Sequence, residues 1–144
     1  YKDVRDYFAA RGIAAPTLAE MREAVMAIRR RKLPEIEQVG TAGSFFKNPV
    51  IARAEYELLA ERYPGLPGHK EGHDLMKIPL GWILDRVCGL RGARKGRVGL
   101  HSEQALVLVN EGGTAGEVAA FAGEVAEVVK EKTGIAIDWE VERV

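Results

Sequence analysis

Three observations predict a mixed fold, α+β or α/β. "ALVLVN", Ala105 to Asn110, is a short unbroken run of apolar β-formers, which reads as a buried strand. Thr114 and Glu117 directly after it form a capping box that opens a long helix. "IAIDWEV" then alternates, with Ile135, Ile137, Trp139 and Val141 on one face and Ala136, Asp138 and Glu140 on the other. Strand and helix therefore alternate over the second half of the chain.

The remaining elements follow in order. The chain opens at Tyr1, without methionine and within what reads as an ordered segment, so a piece of a longer protein is expected. Residues 15–32 read as a helix. Pro16-Thr17 opens it, Thr17 and Glu20 form a first capping box, and Leu18, Met21, Val25 and Ile28 recur at helical spacing. Its end, "RRRK", complements the negative helix terminus, and Pro34 prevents continuation. Residues 51–63 form a second helix candidate stopped by Pro64. "GLPGHKEGHD", 65–74, is polar and glycine-rich, so a mobile loop is expected. Residues 82–88 read as a short helix capped by Gly89, and "LRGARKGRVG", 90–99, as a basic glycine-rich turn region. The helix after Thr114 runs to about Lys132, and Gly134 ends it.

Composition narrows the function classes. At 144 residues the chain suits one ordinary domain or one and a half small ones. Lys+Arg and Asp+Glu are both 21, and this balance argues against bulk nucleic-acid binding. No apolar run approaches membrane-spanning length. The single cysteine, Cys88, excludes an internal disulfide framework and fits a reducing compartment, and it joins the three histidines in no zinc-type spacing.

Candidate chemistry centres on "GTAGSFFKNPV", Gly40 to Val50. Glycine lets backbone approach a ligand closely, and Ser44 follows such a lead-in. Ser44 either presents its hydroxyl to a substrate or caps a turn above a Phe45-Phe46 core pair. No GxSxG elbow is present and no histidine stands locally as base, so a hydrolase triad has no support. Lys32, Lys47 and Asn48 flank the segment and suit phosphate or carboxylate oxygens, though Lys32 also reads as an ordinary helix end. Arg91, Arg94, Lys95 and Arg97 among glycines read either as an anion site or as a solvated basic loop, with no Walker or GxGxxG pattern. His101, Glu103 and Gln104 precede the apolar strand. Glu140 lies on the polar face of the last strand, either exposed or pointing into a covered site. Trp82 and Cys88 read as core.

Taken in order, "KLP", "GTAGSFFKNPV", "KIPLGWILDRVCGLRG", "GLHSEQALVLVN" and "WEVE" resemble the UDP-N-acetylenolpyruvoylglucosamine reductase family over nearly the whole chain. The resemblance implies an α+β substrate-binding C-terminal domain at 33–134, the tail of an FAD-binding domain at 1–32, and a C-terminal strand, 135–144, returning to that first domain. Most FAD-binding residues would precede Tyr1. The implied reaction is NADPH- and FAD-dependent reduction of UDP-N-acetylglucosamine enolpyruvate to UDP-N-acetylmuramate. It serves peptidoglycan synthesis in the cytoplasm, hence cell wall, shape and division. The chain by itself is expected to be inactive, with no nucleic-acid or membrane partner.

Site roles carry over by motif. Ser44 matches the serine that protonates the intermediate, and Glu140 the glutamate that polarises the enolpyruvyl carboxylate or stabilises the enol. Lys32, Asn48 and Gln104 match substrate contacts, and Arg91 stands at a diphosphate contact. A tyrosine covers the diphosphate in some members. By spacing His69 falls there, with Tyr63 as the other candidate, in the 51–74 insertion that resembles a lid-loop subgroup. The competing reading from another class is a non-catalytic phosphate- or nucleic-acid-binding module using the basic loop 89–99.

Overall fold

The computed structural model describes residues 2–34 and 39–142. Two helices, α1 (Lys2–Ala9) and α2 (Leu18–Lys32), form an N-terminal pair. The first was not anticipated as a helix, and the second begins at Leu18 rather than Ala15. Thr17 is its N-cap: the Thr17 hydroxyl accepts from the Glu20 amide at 3.3 Å, and the Glu20 carboxylate accepts from the Thr17 amide at 2.7 Å. Pro16 therefore lies outside the helix, because the side-chain cap overrides the Pro signal.

The rest is built on two antiparallel sheets. The larger has the order β1 (Gly40–Ser44), β7 (Val107–Asn110), β6 (Val98–Leu100), β5 (Arg94–Lys95). The smaller has the order β2 (Val50–Ala52), β4 (Leu75–Lys77), β3 (His69–Lys70). Antiparallel pairing throughout decides for α+β over α/β. Helix α3 (Arg53–Arg62) packs on β2 and β4. Helix α4 (Leu80–Trp82) runs on as a π-helical turn, Ile83–Val87, in which the Cys88 amide reaches back to the Ile83 carbonyl at 2.9 Å. Helix α5 (Ala115–Thr133) carries the second capping box and ends at Gly134, whose φ of 78° is the left-handed cap.

The core lies between α5, the α4 segment and the larger sheet. Ile78, Leu80, Ile83 and Leu84 at its centre are sealed from solvent, with Phe46 and Val129 against them. Each contributes roughly 1.5–3 kcal/mol of burial.

Two expectations are corrected here. "GLPGHKEGHD" is not a plain loop: it makes a hairpin, with His69 opposite Lys77, Lys70 opposite Met76, and Gly72 turning at φ 77°. The basic stretch 90–99 likewise holds the β5–β6 hairpin. The alternation at 135–141 survives as burial, with Ile135 buried and Ala136, Asp138 and Glu140 exposed. As a strand it shrinks to one bridge, Phe46 to Trp139.

Candidate active site

The site begins with a bulge. Thr41 stands opposite Val109, but Ser44, three residues on, stands opposite Val107, so one residue of β1 is extra. The Thr41 hydroxyl sets this geometry by donating to the Leu108 carbonyl at 2.9 Å and accepting from the Gly43 amide at 3.1 Å. Gly43 takes φ 80°, with open space where a Cβ would be. Ser44 is left exposed, while the next two residues dive inward. The Phe45 amide bonds the Leu106 carbonyl at 3.0 Å, and both phenylalanines are buried. Phe45 stacks edge-on with Phe46 and with Trp139 at 5.2 and 5.1 Å. The phenylalanine pair is thus core, as expected, and it pins a strand end at which Ser44 is exposed.

Three other sequence candidates gather round this end. The Glu140 amide donates to the Phe45 carbonyl at 2.8 Å, so Glu140 sits one residue along and one strand across from Ser44, with its side chain exposed. The Asn48 Oδ1 accepts from the Leu80 amide at 2.8 Å and so holds the start of α4. The Gln104 Oε1 lies over Gly81, 3.4 Å from where a Cβ would stand, and its carbonyl closes the turn to Val107 at 2.9 Å. Serine, carboxylate and two amides are therefore displayed by neighbouring backbone segments.

The other candidates lie on separate elements. His69 is exposed on β3, in one row across the smaller sheet with Lys77 and Val50. The Arg91 Nε lies 3.4 Å from Asp85. Lys32 at the end of α2 pairs with Asp3 at 2.6 Å, and this bond holds the Asp3 carboxyl below its usual range. Cys88 is half-buried against the core rather than within it, and desolvation pushes its thiol up.

The basic loop uses its charges internally. Arg94 meets Glu111 at 2.7 Å, Lys95 meets Glu124, and Arg97 donates to the Gly112 carbonyl at 3.4 Å. Sequence reasoning missed Thr41, Asp85 and Lys77. A threonine two residues before a glycine that leaves a strand is a usable signal for the first. The other two depend on which strands and turns become neighbours. Among the described residues no helix is long and apolar enough to cross a membrane.

Fold and site define a class: an antiparallel α+β domain that presents an exposed serine on a bulged strand end, with an exposed glutamate on the segment bonded beside it. The chain belongs to the UDP-N-acetylenolpyruvoylglucosamine reductase family, whose C-terminal-domain model matches residues 34–144. It is similar to the UDP-N-acetylenolpyruvoylglucosamine reductases of Chromobacterium violaceum, an Azoarcus species and Pseudomonas aeruginosa, at 43%, 45% and 40% identity. Each match covers 97% of this chain and 41%, 40% and 41% of the respective relative. The chain thus spans about two fifths of the length of the curated relatives it matches.

Proposed function

We propose that this chain supplies the substrate side of a reductase that converts UDP-N-acetylglucosamine enolpyruvate to UDP-N-acetylmuramate for cytoplasmic peptidoglycan synthesis. The observation that carries the reading is the display of Ser44 by the Gly43 bulge, with Glu140 on the adjoining segment. Reduction of an enolpyruvyl double bond adds hydride at the β-carbon and leaves negative charge on the carbon beside the carboxylate. That carbon takes the proton of the Ser44 hydroxyl. Such a proton donor is worth about 10²–10⁴-fold in rate. Glu140 polarises the enolpyruvyl carboxylate or stabilises the enol form, together with an arginine supplied by the rest of the reductase. Asn48 and Gln104 orient the sugar, and His69 and Arg91 face the diphosphate. For Lys32 to join them, its ion pair with Asp3 must open.

FAD and NADPH are assigned elsewhere in the reductase. The one strand–glycine–helix turn of this type among the described residues, β7 to α5, does not fit a cofactor diphosphate. The Glu117 carboxylate already occupies that helix N-terminus, accepting from the Thr114 amide at 2.7 Å and its hydroxyl at 2.9 Å. Residues 1–32 are read as the close of the FAD-binding domain, 33–134 as the substrate domain and 135–144 as its returning tail. The break near residue 33 is supported by the start of the family match at residue 34 and by the apolar side chains that α2 leaves exposed; the match runs on through 135–144 without marking off the tail. The nucleic-acid alternative is disfavoured by the balance of 21 basic and 21 acidic residues, and Arg94 and Lys95 of the basic loop each pair with a glutamate.

The test pairs this chain with the remaining part of the Pseudomonas aeruginosa relative and follows NADPH oxidation. Substrate-dependent oxidation is expected. Ser44→Ala should then leave flavin reduction near normal and slow substrate reduction by about 10²-fold or more. Equal loss of both half-reactions would remove Ser44 from the chemistry. A wild-type pairing that binds flavin but ignores the substrate would overturn the whole reading.

A further inference from the structure

The arm that carries His69 has little sheet to hold it. Strand β3 is two residues long, and beyond it the ladder adds one bond, from the Glu71 amide to the Leu75 carbonyl at 2.9 Å. A pairing this short is marginal by itself. Tyr56, on α3, grips the arm at two successive points. Its hydroxyl donates to the Leu66 carbonyl at 2.9 Å, and Leu66 is buried. Its ring lies directly against Gly68, the residue before His69. A Cβ on Gly68 would stand 2.6 and 2.7 Å from the Tyr56 Cε2 and Cζ, and 2.9 Å from the Met76 Cε. Only glycine allows an approach this close. Met76 lies in the central strand of the smaller sheet, between Ile51 and Lys70, so the grip ties helix, sheet and arm together.

We infer that Tyr56 is a positioning residue for His69: through the Leu66 carbonyl and Gly68 it fixes where the imidazole stands beside Lys77. The inference rests on the reading above, in which His69 faces the diphosphate of a UDP-sugar. Tyr56 itself touches no substrate and acts only through the arm.

The experiment is a double-mutant cycle on this chain, read by calorimetric binding of UDP-N-acetylglucosamine, with UMP as the ligand lacking the second phosphate. His69→Ala and Tyr56→Phe are each expected to weaken UDP-N-acetylglucosamine binding by roughly three- to tenfold, the span of one hydrogen bond. UMP binding should hardly change. Tyr56→Phe should have no further effect in the His69→Ala background, whereas a merely structural role would cost the same factor in both. Gly68→Ala, which leaves the Tyr56 hydroxyl intact, should reproduce the loss. The Glu71 amide should exchange faster in Tyr56→Phe without ligand. If His69→Ala matters but Tyr56→Phe is silent or additive, the positioning role alone is overturned. If His69→Ala has no effect, the diphosphate reading fails and takes the inference with it. Unchanged Glu71 exchange would overturn the grip whatever the ligand does.

Discussion

Helices α2 and α5 begin with the same device and end in opposite circumstances. In α2 the Thr17–Glu20 box has bonds of 2.7, 2.8 and 3.3 Å; in α5 the Thr114–Glu117 box has 2.7, 2.9 and 3.2 Å. Both carry apolar residues at helical spacing and basic residues in the last turn. Yet α5 buries Phe121, Ala122, Val125, Val129 and Thr133, while α2 buries Ala24 alone. Leu18 of α2 is 91% exposed. Where a helix starts is thus a local matter, but whether its apolar stripe becomes core depends on what the rest of the fold sets against it.

The comparison is broken most sharply by truncating one apolar residue in each region. Phe121→Ala should destabilise the chain by about 3–5 kcal/mol, because it empties a packed site. Leu18→Ala should stay within about 0.5 kcal/mol, because no packing is lost. Denaturant unfolding checks both, and a comparable loss from Leu18→Ala would mean that the α2 stripe is covered in solution.

The caps give a smaller effect that sharpens the point. Thr114→Ala should lower the global unfolding free energy by about 1 kcal/mol. Thr17→Ala should leave the global midpoint nearly fixed and instead speed amide exchange through α2 alone.

The smallest effect is one of pH. Bonds from Thr17 and Thr114 hold the Glu20 and Glu117 carboxyls below their ordinary value of 4.5. A group whose folded value is depressed stabilises above its unfolded value, and loses that contribution as pH falls through the folded one. Stability should therefore decline below about pH 4.5. Glu117→Gln should flatten that decline in the global midpoint, whereas Glu20→Gln should flatten it only in the exchange of α2. Identical flattening of the global curve by both would erase the difference between the helices.

Much of the fold was legible where the signal is local. The two capping boxes, the Gly134 stop, the buried strand before Asn110 and the in–out rhythm of 135–141 all depend on residues within one turn or one pleat of each other. The hairpin at 69–77 was not, because its pairing is two residues long and Tyr56, which lies against Gly68 beside it, comes from another element, α3. The π-helical turn at 83–87 and the exposure of the α2 stripe are settled by neighbours distant in sequence. In the candidate site, Ser44, Asn48, Gln104 and Glu140 were recognisable from their motifs. Their common frame was not, since the bulge that turns Ser44 outward needs the Leu108 carbonyl, from a strand more than sixty residues away, to hold Thr41.

The residues by themselves determined the α-helix caps, the buried strand at Val107–Asn110, the charge balance and the motif resemblance, because those depend on short-range sterics, short-range hydrogen bonding and residue type. Tertiary structure bore out the α+β class that the motif resemblance implied, and alone decided the bulge under Ser44 and the placing of His69 beside Lys77. Each of these is a matter of which backbone groups, far apart along the chain, find one another as hydrogen-bond partners.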